Sequence, residues 1–292
     1  MPSTRSVLCF AATLLSSTAC TSDTTTGASP PAEPSTPAAP EGAAEVAAVS
    51  STVQEHHYFH RVEQPHAAQW GYEGDIGPSH WATLDPGYAL AASGQSQSPI
   101  DIPSSATATT PGFSVAYGPS RINLVYNGHT VEGKEDVGSY LTLGGTRYEL
   151  AQFHFHSPSE HTVDGKYAAM EMHLVHKSAS NEVAVVGVFL EPGEADNPAF
   201  ADVWAYLPDA SNRSRTSERT VDVGAMLPQD RTAYAYEGSF TTPPCTEGVE
   251  WLVLTDPVRL SQGQIDTFRA ILMGNNRPTQ DLHGREVAVT RD

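Results

Sequence analysis

The sequence predicts a mainly β protein with short peripheral helices, built as a single globular domain behind a long tether. Three observations predict it. From Gln69 onward, short runs rich in β-branched and aromatic residues alternate with turn-forming Gly, Pro, Asn and Asp, the pattern of strands joined by tight connections. Helical spacing is confined to two short stretches, and no internal repeat is visible.

In chain order, residues 1–19 read as a secretion signal. Arg5 supplies a short positive region, Val7 to Leu15 an apolar stretch, and Ser16 to Ala19 small residues before Cys20. A cysteine after such a run resembles a bacterial lipoprotein processing site, where the thiol is lipidated and becomes residue one. Cys20 is therefore a lipidation candidate, and the protein is expected outside the cytoplasm, in the periplasm or at the cell surface, on a lipid anchor. Ser17 and Ala19 also suit ordinary signal-peptidase cleavage, which would release a secreted soluble protein. Residues 20–55 are rich in Thr, Ala and Pro with almost no aromatics. They bury too little surface to offset the entropy of ordering, so a disordered tether is expected. As a flexible chain it spans roughly 30–35 Å.

The globular domain is placed at residues 56–292. His56, His57 and His60 at its start could capture a metal, though a solvated linker is the simpler account. Strand-like runs follow at Ile122–Tyr126, Tyr140–Leu143, Tyr148–His156, Met170–His176, Val183–Leu190 and Val249–Leu254. Pro198–Leu207 and Ser261–Met273 carry helical spacing. The residues from Gln69 onward suffice to bury one core.

Composition narrows the function classes. The chain has 292 residues, with 16 Lys and Arg against 34 Asp and Glu, a formal charge of −18. Nucleic acid demands a basic footprint, so no nucleic-acid partner is expected. Past the N-terminus no apolar run is long enough to cross a bilayer.

The chemistry concentrates in Gln152-Phe153-His154-Phe155-His156 and Glu171-Met172-His173. Side chains alternate faces along a strand, so Gln152, His154 and His156 project together, as do Glu171 and His173. Ser157 to Gly165, with Pro158 and Asp164, reads as the connection between two neighbouring strands. Three imidazoles then converge, each row preceded by a polar residue able to orient a ring. That is the ligand set of a catalytic zinc with its fourth position open. Taken singly, each histidine reads as a hydrogen-bonded core or surface residue. The His-x-His pair and a third His with Glu two residues before it favour a metal. His176 faces the other way and is read as structural; His161 is read as holding the connecting segment.

Around these residues the chain resembles the α-class carbonic anhydrases, of bacterial secreted or lipoprotein type. The landmarks are Trp70-Gly71-Tyr72, Gly77-Pro78, His80-Trp81, Gln97-Ser98-Pro99-Ile100 and Asn127-Gly128-His129. Then come the two histidine segments, Ser159-Glu160-His161-Thr162-Val163-Asp164, Ser239-Phe240-Thr241-Thr242-Pro243-Pro244-Cys245 and Asn275-Asn276-Arg277-Pro278. The resemblance runs from Trp70 to about Val287. It implies one domain around a large, mostly antiparallel twisted β-sheet. It also implies zinc-dependent reversible hydration of CO2 to bicarbonate and a proton, by a zinc-bound hydroxide with a histidine proton shuttle.

In that resemblance His154, His156 and His173 are the zinc ligands. Three neutral imidazoles leave zinc its charge, which lowers the pKa of a bound water to about 7, a value known for this family itself. Gln152 and Glu171 are the acceptors that fix ring tautomers, and His156 leans on a backbone carbonyl. Thr241 accepts from the hydroxide and donates to Glu160, which can only accept when ionised. Thr242 helps bind bicarbonate. Val175, Val185, Phe240 and Trp251 form the apolar wall for CO2. Phe240 departs from a common Leu, and its larger ring is expected to narrow the pocket against bulky esters. His129 takes the proton-shuttle position. The resemblance leaves oligomeric state open, a dimer included.

One feature breaks the pattern. Extracytoplasmic relatives often join a Cys three residues before the Gly of Gly-x-x-Gln-Ser-Pro to the Cys after Thr-Thr-Pro-Pro. Cys245 is present, but Gly94 puts its partner at Ala91. Cys9 leaves with the signal and Cys20 is the lipidation candidate, so Cys245 is expected unpaired, as a buried inert thiol or in an intermolecular bridge. The same resemblance makes Ser98-Pro99 and Pro243-Pro244 candidates for cis bonds.

Two other readings compete. His154-x-His156-x-x-x-Glu160 with a later His mimics a cupin metal motif, in which Glu160 would bind the metal; the cupin glycine spacing and second motif are missing. An acatalytic carbonic-anhydrase-like binding protein is the non-enzyme alternative, although such relatives lose zinc histidines that this chain keeps.

Overall fold

The computed structural model describes residues 68–136, 138–208 and 213–292. The signal and tether expectations, with Cys9, Cys20, His56, His57 and His60, lie outside the described residues. The principal strands are β1 (Ile122–Tyr126), β2 (Val131–Glu135), β3 (Tyr140–Leu143), β4 (Thr146–His156), β5 (Met170–Ser178), β6 (Val183–Gly193), β7 (Ala233–Ser239) and β8 (Glu247–Leu254). They belong to one large sheet, hydrogen-bonded in the order β1-β2-β4-β5-β6-β8-β7, with short strands beyond both ends. Most neighbours are antiparallel; β6 and β8 run parallel, so the sheet is mixed.

β4 carries a device that alternation alone does not show. Its pairing with β5 shifts between Val175 and His176: Val175 faces Gln152, whereas His176 faces Leu150. Ala151 is thus the extra residue of a β-bulge. Tyr148 and Leu150, before it, share the main core with Phe153 and Phe155, after it. Gln152, His154 and His156 turn to the opposite face. Phe153 and Phe155 are fully buried, and burying each stabilises the strand by roughly 1.5–3 kcal/mol. Those two rings hold down the strand whose other face presents the imidazoles.

On β5, Met170, Met172 and Leu174 enter the same core, leaving Glu171 and His173 on the opposite face. β6 is buried on both sides, by Ala184, Val186, Val188 and Leu190 on one and Val183, Val185 and Phe189 on the other. A central strand covered on both faces reads as a continuous apolar run, as this one does. Its single gap, Gly187, pairs with His173. A Cβ there would lie 3.0 Å from Glu171 Oε1, so the glycine leaves room for that carboxylate.

The helical stretches are shorter than the sequence suggests. Ser261–Met273 resolves as α2, Gln262–Ile271, closed by a capping box in which Ser261 Oγ accepts from Gln264 N and Gln264 Oε1 accepts from Ser261 N. Pro198–Leu207 breaks into a 3-10 turn, Pro198–Phe200, and a short helix α1, Ala201–Ala205. Asn197 caps that turn through Ala199 N, and Pro198 sits where its missing N–H costs nothing. Of the eight principal strands, two escape pattern reading. β2 is polar and glycine-interrupted, and β7 alternates Ala with Tyr; both are strands because their neighbours pair with them. Ser98–Pro99 and Pro243–Pro244 are cis, and so is Ser157–Pro158.

Candidate metal centre

His154 and His156 leave β4, and His173 leaves β5 directly opposite His154. One ligand atom from each of the three lies within 4.8 Å of the others. Each ring has its second nitrogen tied down. His154 Nδ1 donates to Gln152 Oε1 at 2.8 Å, His156 Nδ1 to the Asn275 carbonyl at 2.7 Å, and His173 Nε2 to Glu171 Oε1 at 2.9 Å. A carbonyl or carboxylate oxygen can only accept, so the proton of each ring sits on the outward nitrogen. The nitrogens facing inward therefore carry lone pairs.

Burial keeps these rings uncharged. It holds His154 well below the ordinary histidine range, His156 down at about 4, and His173 below its usual value despite the Glu171 charge beside it. His156 Nε2 is buried with no hydrogen-bond partner. Three inward lone pairs with no proton among them repel one another. A dication that accepts tetrahedral nitrogen ligands resolves this, and neutral imidazoles suit zinc. The donor set fits the metal.

Glu171 is the anchor of the arrangement. Its Oε2 accepts from the Glu160 and His161 amides at 2.8 and 2.9 Å, and its Oε1 from His161 Nδ1 at 2.8 Å as well as from His173. Burial alone would raise its pKa; the adjoining His161 and His173 rings and the hydrogen bonds they donate to it reverse this and hold it well below the carboxylate range. His161, Glu171 and His173 also come together as a cluster of ligand-type atoms. Both histidine nitrogens there already donate to the carboxylate, and His161 Nε2 accepts from Tyr236 Oη at 2.6 Å. That cluster is a hydrogen-bond relay. His176 likewise has both nitrogens used, Nε2 by Tyr117 Oη at 2.7 Å and Nδ1 by the Ala184 carbonyl.

Glu160 is fully buried, with Oε2 at 3.4 Å from His156 Nε2 and 3.8 Å from His173 Nδ1. Burial pushes it up to about 7, against the opposing pull of His173, the Arg277 amide and Thr241. The Arg277 N–H donates to Oε1 at 2.8 Å, whereas Oε2 has no well-formed hydrogen bond. Thr241 is buried and close enough to favour the charged carboxylate, short of full hydrogen-bond geometry. Val175, Val185, Trp251 and Phe240 meet in one apolar cluster on the histidine side of the sheet. Trp251 lies 4.9 Å from the His173 ring.

A pocket of about 120 Å³ opens in front of His154 and His156, with Thr242, His129, Trp70 and Glu132 in its wall. His129 sits on the turn between β1 and β2, whose Asn127 Oδ1 accepts from the His129 and Thr130 amides at 2.9 Å each. Its ring stacks on Trp70 at 3.8 Å between centroids and 9° between planes. Partial burial lowers its pKa below the histidine norm. Cys245 is a free thiol, fully buried and pushed up to about 11 by burial.

Sequence reasoning assigned no role to Asn275, Arg277 or Glu132. Besides its carbonyl on His156, Asn275 donates from Nδ2 to the His129 and Phe155 carbonyls and accepts the Ser157 amide. The Arg277 guanidinium reaches Gln97 Oε1 and the Ser98 and Ala91 carbonyls. The only signal for these two was their place in the Asn-Asn-Arg-Pro landmark.

Residues 76–291 match the family model for eukaryotic-type carbonic anhydrase. A carbonic anhydrase of Klebsiella pneumoniae is 42% identical over 224 residues, 76% of this chain and 91% of that protein. One from Nostoc sp. is 40% identical, covering 75% of this chain and 84% of the relative. Among solved structures, the α-carbonic anhydrase of Thermovibrio ammonificans in complex with sulfanilamide superposes with a TM-score of 0.73 at 41% identity, over 76% of this chain and 99% of that one.

Proposed function

From the premise that this chain belongs to the α-carbonic anhydrase family of enzymes, whose reaction is the hydration of CO2, we propose that it works as a zinc enzyme outside the cytoplasm. The observation that carries the proposal is the set of three uncharged imidazoles, His156 and His173 buried and His154 half-buried at the pocket, each forced by its partner to aim a lone pair inward. His154, His156 and His173 would hold the zinc, which when bound supplies a Lewis acid that makes water a nucleophile near neutral pH.

The remaining residues supply aim, room and an exit. Gln152, Glu171 and the Asn275 carbonyl keep the rings from rotating or changing tautomer. Glu160, ionised beside a dication, accepts from the Thr241 hydroxyl. Thr241 then offers only its lone pairs to the nucleophile's proton, which fixes where the nucleophile's own electrons point. Val175, Val185, Phe240 and Trp251 give apolar CO2 a dry place to rest, and Thr242 holds bicarbonate. His129 takes the released proton and passes it to buffer at the pocket mouth, its ring steadied on Trp70. Export of the chain, with Cys20 lipidated, completes the proposal; cleavage without lipid is the alternative.

Stopped-flow CO2 hydration on zinc-assayed protein, with and without a sulfonamide, tests the reading. About one zinc per chain and sulfonamide-sensitive turnover are expected, and His173→Ala should lose both metal and activity. Undiminished hydration by His173→Ala would overturn it. Zinc-loaded but inactive protein would point to the acatalytic binding reading.

A further inference from the structure

The pocket wall in front of His154 contains one carboxylate, Glu132. It stands on β2 directly opposite His154 on β4, so the two side chains leave the same face with Cβ atoms about 5 Å apart. The Glu132 side chain is 22% exposed, and its Oε1 lies 3.0 Å from Nζ of Lys134, which is 61% exposed. Two residues apart on one strand, they share a face. The carboxylate is part of the wall, and the ammonium stands outside it in water. Such a surface pair contributes at most about 1 kcal/mol to stability, so fold stability gives little reason to put a negative charge there.

We propose that Glu132 is a specificity-determining residue of the pocket mouth, whose fixed charge disfavours anions in the pocket and favours neutral bases, which become cations, as final proton acceptors. This rests on the carbonic anhydrase reading. When protonated His129 hands its proton to neutral imidazole, the pair becomes neutral histidine and imidazolium, and the new cation forms beside a carboxylate. Hydrogen phosphate dianion, accepting the same proton, must approach that carboxylate carrying its own charge. Lys134 partly offsets the effect from outside.

The test measures thiocyanate binding to cobalt(II)-loaded protein by its visible spectrum, for the parent, Glu132→Gln and Lys134→Gln. A single charge acting over roughly 8 Å at an effective dielectric of about 40–80 changes affinity about two- to sixfold. Glu132→Gln should bind thiocyanate tighter by that factor and Lys134→Gln more weakly. Both differences should shrink between about 10 mM and about 200 mM ionic strength. In zinc-loaded turnover, Glu132→Gln should lose about twofold in its preference for dilute imidazole over dilute phosphate. Equal thiocyanate affinity of parent and Glu132→Gln at low salt, or shifts of the same sign in both variants, would overturn the assignment while leaving an active parent enzyme in place. A parent that hydrates no CO2 would overturn both readings together.

Discussion

His156 and His176 are both fully buried imidazoles held down at about 4 by burial, yet one keeps a free nitrogen and the other does not. His156 spends Nδ1 on the Asn275 carbonyl and leaves Nε2 bare. His176 spends both nitrogens, on Ala184 and Tyr117. The second nitrogen's partner, more than burial, separates a candidate metal ligand from a core histidine. The buried His176 also has a cost in acid. An unfolded histidine titrates near 6.5, so between about pH 6.5 and 4 the unfolded chain binds a proton that the fold refuses. Stability present at neutral pH is lost as pH falls, by about 3 kcal/mol at pH 4. The urea midpoint of His176→Gln should therefore fall less steeply over that range than the parent's; identical slopes would remove His176 from the account. At the pocket, His129→Ala should slow turnover mainly in dilute buffer, with added imidazole restoring part of the rate. An unchanged rate in dilute buffer would remove the shuttle role.

At the scale of elements, the Thr241 loop shows how one missing cross-link is replaced. Cys245 has no partner at Ala91; the segment from Gly94 to Gln97 is tied to the loop by hydrogen bonds. Gln97 Nε2 donates to the Cys245 carbonyl at 3.0 Å, and Glu247 Oε1 accepts from Ser96 N at 2.7 Å and Gln97 Nε2 at 3.1 Å. Any side chain at Gly94 would collide with that carboxylate, since a Cβ would lie 2.4 Å from it. Charge-assisted acceptors are the stronger kind, so Glu247→Ala should destabilise the protein by about 1–3 kcal/mol and lower kcat. Reductant should leave the parent unaffected in thermal denaturation and turnover alike. Reductant-sensitive activity would show that a disulfide holds the loop after all. The loop's sequence was legible as a landmark, but its tether was not. Glu247 and Ser96 are 151 positions apart, and no local pattern links them.

For the whole molecule, the β-domain accounts for the residues that match known relatives, and among the described residues no helix is long and apolar enough to cross a membrane. The proposed lipid attachment rests on Cys20. With the native leader expressed in a Gram-negative host, Cys20→Ser should move the protein from the membrane fraction to the soluble periplasm, with CO2 hydration per zinc unchanged. Equal partitioning of parent and variant would favour the unlipidated alternative.

The family, the three clustered histidines and the partners of two of them were legible in the amino-acid order alone. Gln152 and Glu171 were readable because they stand two residues before His154 and His173, and strand alternation is a local rule needing no knowledge of the fold. Tertiary structure decided the rest. Only the bulge at Ala151 puts Leu150 and Phe153 in one core while sending Gln152 to the other side. Only chain return brings the Asn275 carbonyl to His156, the Arg277 amide to Glu160 and Glu132 opposite His154. Each of these depends on register or on contacts between segments distant in sequence, which arise from the packing of the whole sheet rather than from the residues beside them.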